Sequence, residues 1–177
     1  IFCIIRQPPW STLFPYPTLF RSGFKKTSDT IAISFGLDES AANTYTQEEV
    51  ALQLDVLNNE IFVVLAVDLN PAAPNLVAAQ TTETRATVSS TSATDIQSLA
   101  NTNVLAEAGL AIVTDAAMAV SFTRAAEESY SGAVDYIGLI ATNNFFVGLK
   151  GSNNLTAKSV NGRIWGYRAR ADASTYA

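Results

Sequence analysis

The sequence predicts a mainly β chain folded as an antiparallel β-sandwich, with jelly-roll connections as one arrangement open to it and one helical segment near 95–122. Three observations lead there. Val134 to Asp172 reads as tyrosine- and glycine-rich strands broken by asparagine turns: VDYIGLIAT, NN, FFVGLKG, SNNLTAKS, VNGRIWGYRARAD. Thr44 to Leu57 carries a clean period of two, with Val50, Leu52, Leu54 and Val56 on one side and Ala51, Gln53 and Asp55 on the other. Finally, 177 residues at 48% hydrophobic and 15% charged content suit one folded domain with a substantial core, not a disordered chain.

Taken in order, Thr30 to Leu37 alternates Ile31, Ile33 and Phe35 on one face, a first strand. Asp38 to Asn43 is a small polar turn before the Thr44–Leu57 strand. Asn58-Asn59 offers a two-residue hairpin turn, because asparagine tolerates the positive φ such turns need. Ile61 to Val67 is apolar throughout and is expected to be a central strand covered on both faces. Pro71 and Pro74 open a loop to about Gln80. Thr82 to Thr91, rich in threonine and serine, reads as a solvent-facing or edge strand. From Asp95 to Phe122 alanine becomes frequent, and Leu105, Ala108, Ile112, Ala116 and Ala119 fall at helical spacing. Gly109 and the β-branched Ile112, Val113 and Thr114 weaken that helix. Asp135–Thr142 and Phe145–Gly151 flank a second hairpin signal at Asn143-Asn144, and a last strand runs to about Ala171. Gly138, Gly148, Gly162 and Gly166 recur inside these strands, a cost explained by bulges or by rings lying over bare backbone.

Residues 4–22, IIRQPPWSTLFPYPTLFRS, have no amphipathic period and no acid. They resemble a translated Illumina-type sequencing adapter, MIRRPPRSTLFPYTTLFRS, from which only Ile4, Gln7, Trp10 and Pro17 depart. A signal peptide is disfavoured by Pro8, Pro9, Pro15 and Pro17 in its apolar core. The resemblance implies that 1–22 is a non-native, disordered tail, and that 23–177 is a single sandwich domain truncated at one or both ends. Met118 as the sole methionine agrees with this expectation. Asp135 to Tyr176 is similar, loosely, to small uncharacterised β proteins of marine microbial and viral metagenomes, a likeness that implies no activity.

Composition removes several chemistries. There is no histidine, so imidazole bases, Ser/His/Asp and Cys/His systems and His-ligated zinc are excluded. Cys3 is the single cysteine, so no intrachain disulfide forms. A net charge of −5 opposes direct nucleic-acid binding, and no apolar run is long enough for a membrane span. The acidic pairs Asp38-Glu39 and Glu48-Glu49 border turns and read as solvated surface rather than a glycosidase pair. Asp68, Asn70 and Asn75 near the proline loop fit no calcium-loop pattern. Lys150 and Lys158 with Ser152 or Ser159 lack the spacing of a Ser–Lys nucleophile. No catalytic residue, metal ligand or cofactor is assigned.

One constellation remains: Arg163, Trp165, Tyr167, Arg168 and Arg170 on the last strand. Trp165, Tyr167, Ala169 and Ala171 share one face, and Ile164, Gly166, Arg168 and Arg170 the other. The preferred reading is an aromatic core face with arginines at its rim; an interface or a stacked ligand is the alternative. The expectation is a non-enzymatic structural protein that self-assembles as a homo-oligomer, a virion coat or capsid-associated subunit. A secreted or surface binding module, located outside the cell, is the runner-up.

Overall fold

The computed structural model describes residues 23–115, 118–124, 126–127 and 135–172. The adapter-like segment and both expected truncation points lie outside the described residues. The strands are β1 (Phe24–Lys26), β2 (Ile31–Asp38), β3 (Thr46–Ala51), β4 (Glu60–Pro71), β5 (Thr81–Ser89), β6 (Val104–Thr114), β7 (Ala119–Arg124), β8 (Ala126–Glu127), β9 (Gly138–Ile140), β10 (Asn144–Ser152) and β11 (Ser159–Ala171). They form two antiparallel sheets. In the first, β11 lies between β4 and the β1/β2 side, while β9 and β8 pair with the far side of β4. The second runs β3-β10-β5-β6-β7.

The pairings nest. β5 pairs with β6, β4 with β9, β3 with β10 and β2 with β11. This is one long antiparallel ribbon that doubles back between β5 and β6. Rolling the ribbon sets β11 against β4 and β10 against β5, so its successive segments alternate between the sheets. These are jelly-roll connections, and the sandwich expected from the sequence is the fold observed.

Alternation explains the core. Phe62, Val64, Val67, Leu69, Ala86, Val88, Ala106, Ala108, Phe145, Val147, Leu149, Val160 and Ile164 meet between the sheets. The Phe35 and Phe145 rings cross the gap edge-to-face, with centroids 5.8 Å apart. β4 is covered on both faces, as its apolar run requires: Phe62 and Val64 face the core, while Ile61 and Val63 join a second cluster on the outer side of the first sheet. The inward parity changes from Val64 to Val67, where β4 slips register against Trp165/Gly166 through a bulge.

Four local expectations change. No helix occupies 95–122; residues 104–114 and 119–124 are β6 and β7. Alanine at helical spacing there coincides with a period of two, since Val104, Ala106 and Ala108 are buried at alternate positions of a strand paired to β5. Long-range pairing and burial override the weak local helix preference. β5 is not an edge strand but lies between β10 and β6, with Thr82 and Thr84 fully buried. The third strand stops at Ala51: Gln53 adopts φ 54°, and Val56–Asn58 form a 3-10 turn that swings Val56 outward. Neither asparagine pair closes a hairpin, because each joins strands of different sheets. Asn59 takes φ 54° after the 3-10 turn, and Asn143 accepts the Leu54 backbone N–H.

Three of the four strand glycines sit beneath rings, Gly148 under Tyr45, Gly162 under Phe35 and Gly166 under Phe62, while Gly138 faces the Leu105 side chain. A Cβ on Gly162 would lie 2.5 Å from the Phe35 ring, and one on Gly166 would meet the Phe62 ring at 2.5 Å and clash with the Val63 carbonyl. The central pair β4/β11 therefore depends on bare backbone at 166. Gly166→Ala is expected to destabilise the domain by about 1–3 kcal/mol in urea unfolding. Gly109→Ala, whose Cβ would find ordinary contact at 3.4 Å, should change it by less than about 0.5 kcal/mol.

Candidate functional site: the outward face of strand β11

Strand parity sorts the five candidate residues. Ile164 belongs to the core between the sheets, so even positions of β11 point inward and odd positions outward. Arg163, Trp165, Tyr167, Ala169 and Ala171 thus share the outer face of the first sheet. The two faces divide as the sequence indicates, but the aromatic one is outward and not the sandwich core, and both Trp165 and Tyr167 are half-buried.

Two cation–aromatic contacts run along this face. The Arg163 guanidinium lies 5.8 Å from the Trp165 ring centroid while its Nε donates to Ser34 Oγ at 3.1 Å. Lys26 Nζ lies 4.9 Å over the Tyr167 ring. Each such contact contributes on the order of 0.5–1 kcal/mol at a partly exposed site. Tyr167 also packs with Phe24, Tyr136 and Leu139 over buried Ile61, Val63, Ala169 and Ala171. The Phe24 and Tyr136 rings meet edge-to-face at 5.7 Å.

The other two arginines leave this group. Arg168 turns inward, where Nη2 donates to the Leu52 carbonyl at 3.0 Å and ties β11 to the segment after β3. Arg170 is exposed near the strand end, in register between Lys25 and Glu60. The five residues therefore do not form one pocket. Arg163 and Trp165 make an outward planar platform, Tyr167 roofs the outer cluster, and Arg168 is a tether. A platform of this kind stacks on apolar or planar groups; it holds no acid/base pair.

A second polar group escaped sequence reasoning. Glu39 is only 5% exposed, not solvated surface as its place in an acidic pair suggested. Its carboxylate accepts the backbone N–H of Gly151 at 2.5 Å and of Lys158 at 2.8 Å. Around it, Asn43 exchanges two hydrogen bonds with the Asn154 backbone, at 2.8 and 2.6 Å. Asn154 Oδ1 accepts from Asn75 N, its Nδ2 donates to the Glu83 carbonyl, and Asn75 Oδ1 accepts from Leu155 N. This knot joins the loops after β2, β4 and β10 at one end of the sandwich. Both carboxylate oxygens of Glu39 are engaged by backbone, which makes it a clamp rather than a reactive acid. The asparagine-rich turns were the visible signal, but their partners come from strands far apart in sequence.

The remaining candidates separate. Asp68 and Asn70 are exposed on β4 while Asn75 is spent in the knot, and no group of three or more acidic, cysteine or histidine side chains converges among the described residues. Lys150 pairs with Asp95 at 2.8 Å, and Arg85 bridges Glu83 and buried Glu107, all on the outer side of the second sheet. The 90–103 loop is strapped over that side: Gln47 accepts from Ala93 N and donates to Ser92 Oγ.

Three ionisations are displaced. The Lys150 hydrogen bond, followed by the Ile96 N–H, holds the Asp95 carboxyl below its usual range. Burial raises the Tyr45 phenol, with Asp95 adding to the effect. Burial likewise raises Tyr167, helped by Asp135 and Tyr136.

No family model matches the chain, and no curated protein does. Among solved structures, a chain of Desmodium yellow mottle tymovirus aligns over 98% of this chain and 100% of its own, at 11% identity and a TM-score of 0.29. A superposition that loose transfers nothing from one protein to the other. No helix among the described residues is long and apolar enough to cross a membrane.

Two outcomes test these assignments. Glu39→Ala leaves two buried N–H groups unpaired and should cost on the order of 3 kcal/mol in chemical denaturation; Glu39→Gln, which can accept from one of them, should cost less. A phenol whose pKa is raised in the folded state holds its proton more tightly there than in the unfolded chain. Tyr45 and Tyr167 therefore leave stability unchanged below the unfolded value of about 10 and lower it as pH climbs past that value. Tyr45→Phe and Tyr167→Phe should each flatten the alkaline fall in stability measured between about pH 9 and 11.

Proposed function

We propose that this chain is a non-enzymatic structural subunit that associates with copies of itself, of the virion coat or capsid-associated class. The rolled antiparallel ribbon carries the reading. Jelly-roll sandwiches serve as shell-building subunits as well as lectin and cupin domains, so topology narrows the class without choosing within it. The choice comes from the surface. Apolar side chains face outward at both ends and at one flank of the sandwich: Leu76 and Leu155 beside the Glu39 knot, Leu57 and Leu99 elsewhere, and Val113, Val120 and Phe122 on the β6–β7 hairpin. Large outward apolar groups in several places suit a subunit with several neighbours. Low charge and a rigid, cross-tied framework fit the same role. The site of action on this reading is the virion.

One observation favours a second reading. Trp165 faces outward beside Arg163, as a carbohydrate- or protein-binding platform on a secreted or surface module would require. The two readings differ in mass. Size-exclusion chromatography with light scattering on the chain, across a concentration series, should give discrete oligomers or shells. A monomer at the highest concentration overturns the structural reading and directs attention to a glycan-binding screen with Trp165→Ala as its control.

A further inference from the structure

We infer that the contact between copies runs through the free edge of β7, continuing the second sheet across a two-fold axis into a second copy of this chain; the inference rests on the self-association proposed above. β7 ends the sheet order β3-β10-β5-β6-β7, so its outer edge offers unpaired backbone N–H and C=O groups among the described residues. Ala86 and Val88 face the core, which places Glu83, Arg85 and their partners on the outer side of the sheet. Ala111 is in register with Glu83 and with Phe122, and Val113 pairs with Val120. Val113, Val120 and Phe122 therefore share the outer side, at 41%, 49% and 58% exposure, and Met118 beside the turn is 72% exposed. Among the described residues, an unpaired strand edge and an exposed apolar patch coincide.

The occupant follows from register. A two-fold axis perpendicular to the sheet keeps the outer side outer in both copies, so residues of like parity must face each other. Centring the axis on Ser121 sets Val120 opposite Phe122 of the second copy and Phe122 opposite its Val120. The patches of the two copies then merge into one apolar stripe. Arg124, the charged position of the strand, stands across from Met118 and not from itself. Two other edges, β3 and β2, fit less well. On β3, centring on Glu48 or Glu49 sets a carboxylate against its own copy, which is unfavourable. β2 exposes only Ala32, Ser34, Gly36 and Asp38, with no apolar patch to cover.

Disulfide trapping tests this. In a Cys3→Ser background of the full chain, Ser121→Cys brings two thiols directly opposite each other at about 4.5–5.5 Å between Cα atoms, within disulfide reach. Mild oxidation should convert most of that variant to a covalent dimer, while Ala119→Cys and the β2 control Ser34→Cys stay largely uncrosslinked. Far-UV circular dichroism matching the parent confirms that each variant is folded. Oligomers that persist with no Ser121→Cys crosslink, or a stronger crosslink from Ser34→Cys, overturn the β7 contact and leave self-association standing. A parent chain that is monomeric throughout overturns both.

Discussion

The Glu39 carboxylate, buried and held by the Gly151 and Lys158 backbone N–H groups, is the interaction on which the rest of the sandwich depends. A rolled ribbon is secured along its strands by ladders but has nothing in its topology to fix the loops that cross between sheets. Glu39 sits where the chain leaves the first sheet after β2, and it binds the segment by which the chain returns from β10 to β11. One charged acceptor thereby locks the outgoing and returning legs together. Asn43, Asn75 and Asn154 extend the lock to the loop after β4. At the opposite end Asn143 accepts the Leu54 N–H, and Arg168 reaches the Leu52 carbonyl. Buried polar groups with their partners in place specify one geometry, because any slip leaves a desolvated donor or acceptor unpaired.

That framework fixes what faces outward. β11 and β4, each flanked on both sides, form the stiff centre of the first sheet, and the bulge in β4 turns Ile61 and Val63 onto its outer side. The aromatic cluster with Tyr167 covers them, leaving Arg163 and Trp165 as the open part of the face. On the second sheet the 90–103 loop is held over the outer side by Gln47 and by the Lys150–Asp95 pair, which lies near Arg85.

Much of the fold is legible in residues 30–70 and 135–171. Period-two alternation at Ile31, Ile33 and Phe35, the continuous apolar run at Ile61–Val67, and the rings over Gly148, Gly162 and Gly166 all mean in three dimensions what they mean in sequence. The misread places share a cause: pairing is non-local. Ala108, one of the positions at helical spacing, is buried with Ala106 at alternate positions of β6, so the same alanine serves a period of two. Thr82 and Thr84 look solvated yet lie fully buried in a central strand, where Thr82 Oγ1 donates to the Asn75 carbonyl. Asn58-Asn59 and Asn143-Asn144 look like hairpin turns, because nothing local says that the chain crosses to the other sheet. The five basic and aromatic positions of β11 were visible as a group, but only parity relative to Ile164 decides that Trp165 looks out and Arg168 looks in. Glu39 was invisible as a clamp, since its partners lie more than a hundred positions away.

On the proposed contact, the sandwich meets its neighbours through the edge of β7 in its second sheet. Amide hydrogen exchange on the chain at two concentrations, one well below and one well above the onset of association, reads this claim strand by strand. Protection at Val120–Phe122 that rises with concentration, while β5 and β10 stay slow at both, is the predicted result. Fast exchange across β7 at every concentration, in a sample that nevertheless associates, contradicts it.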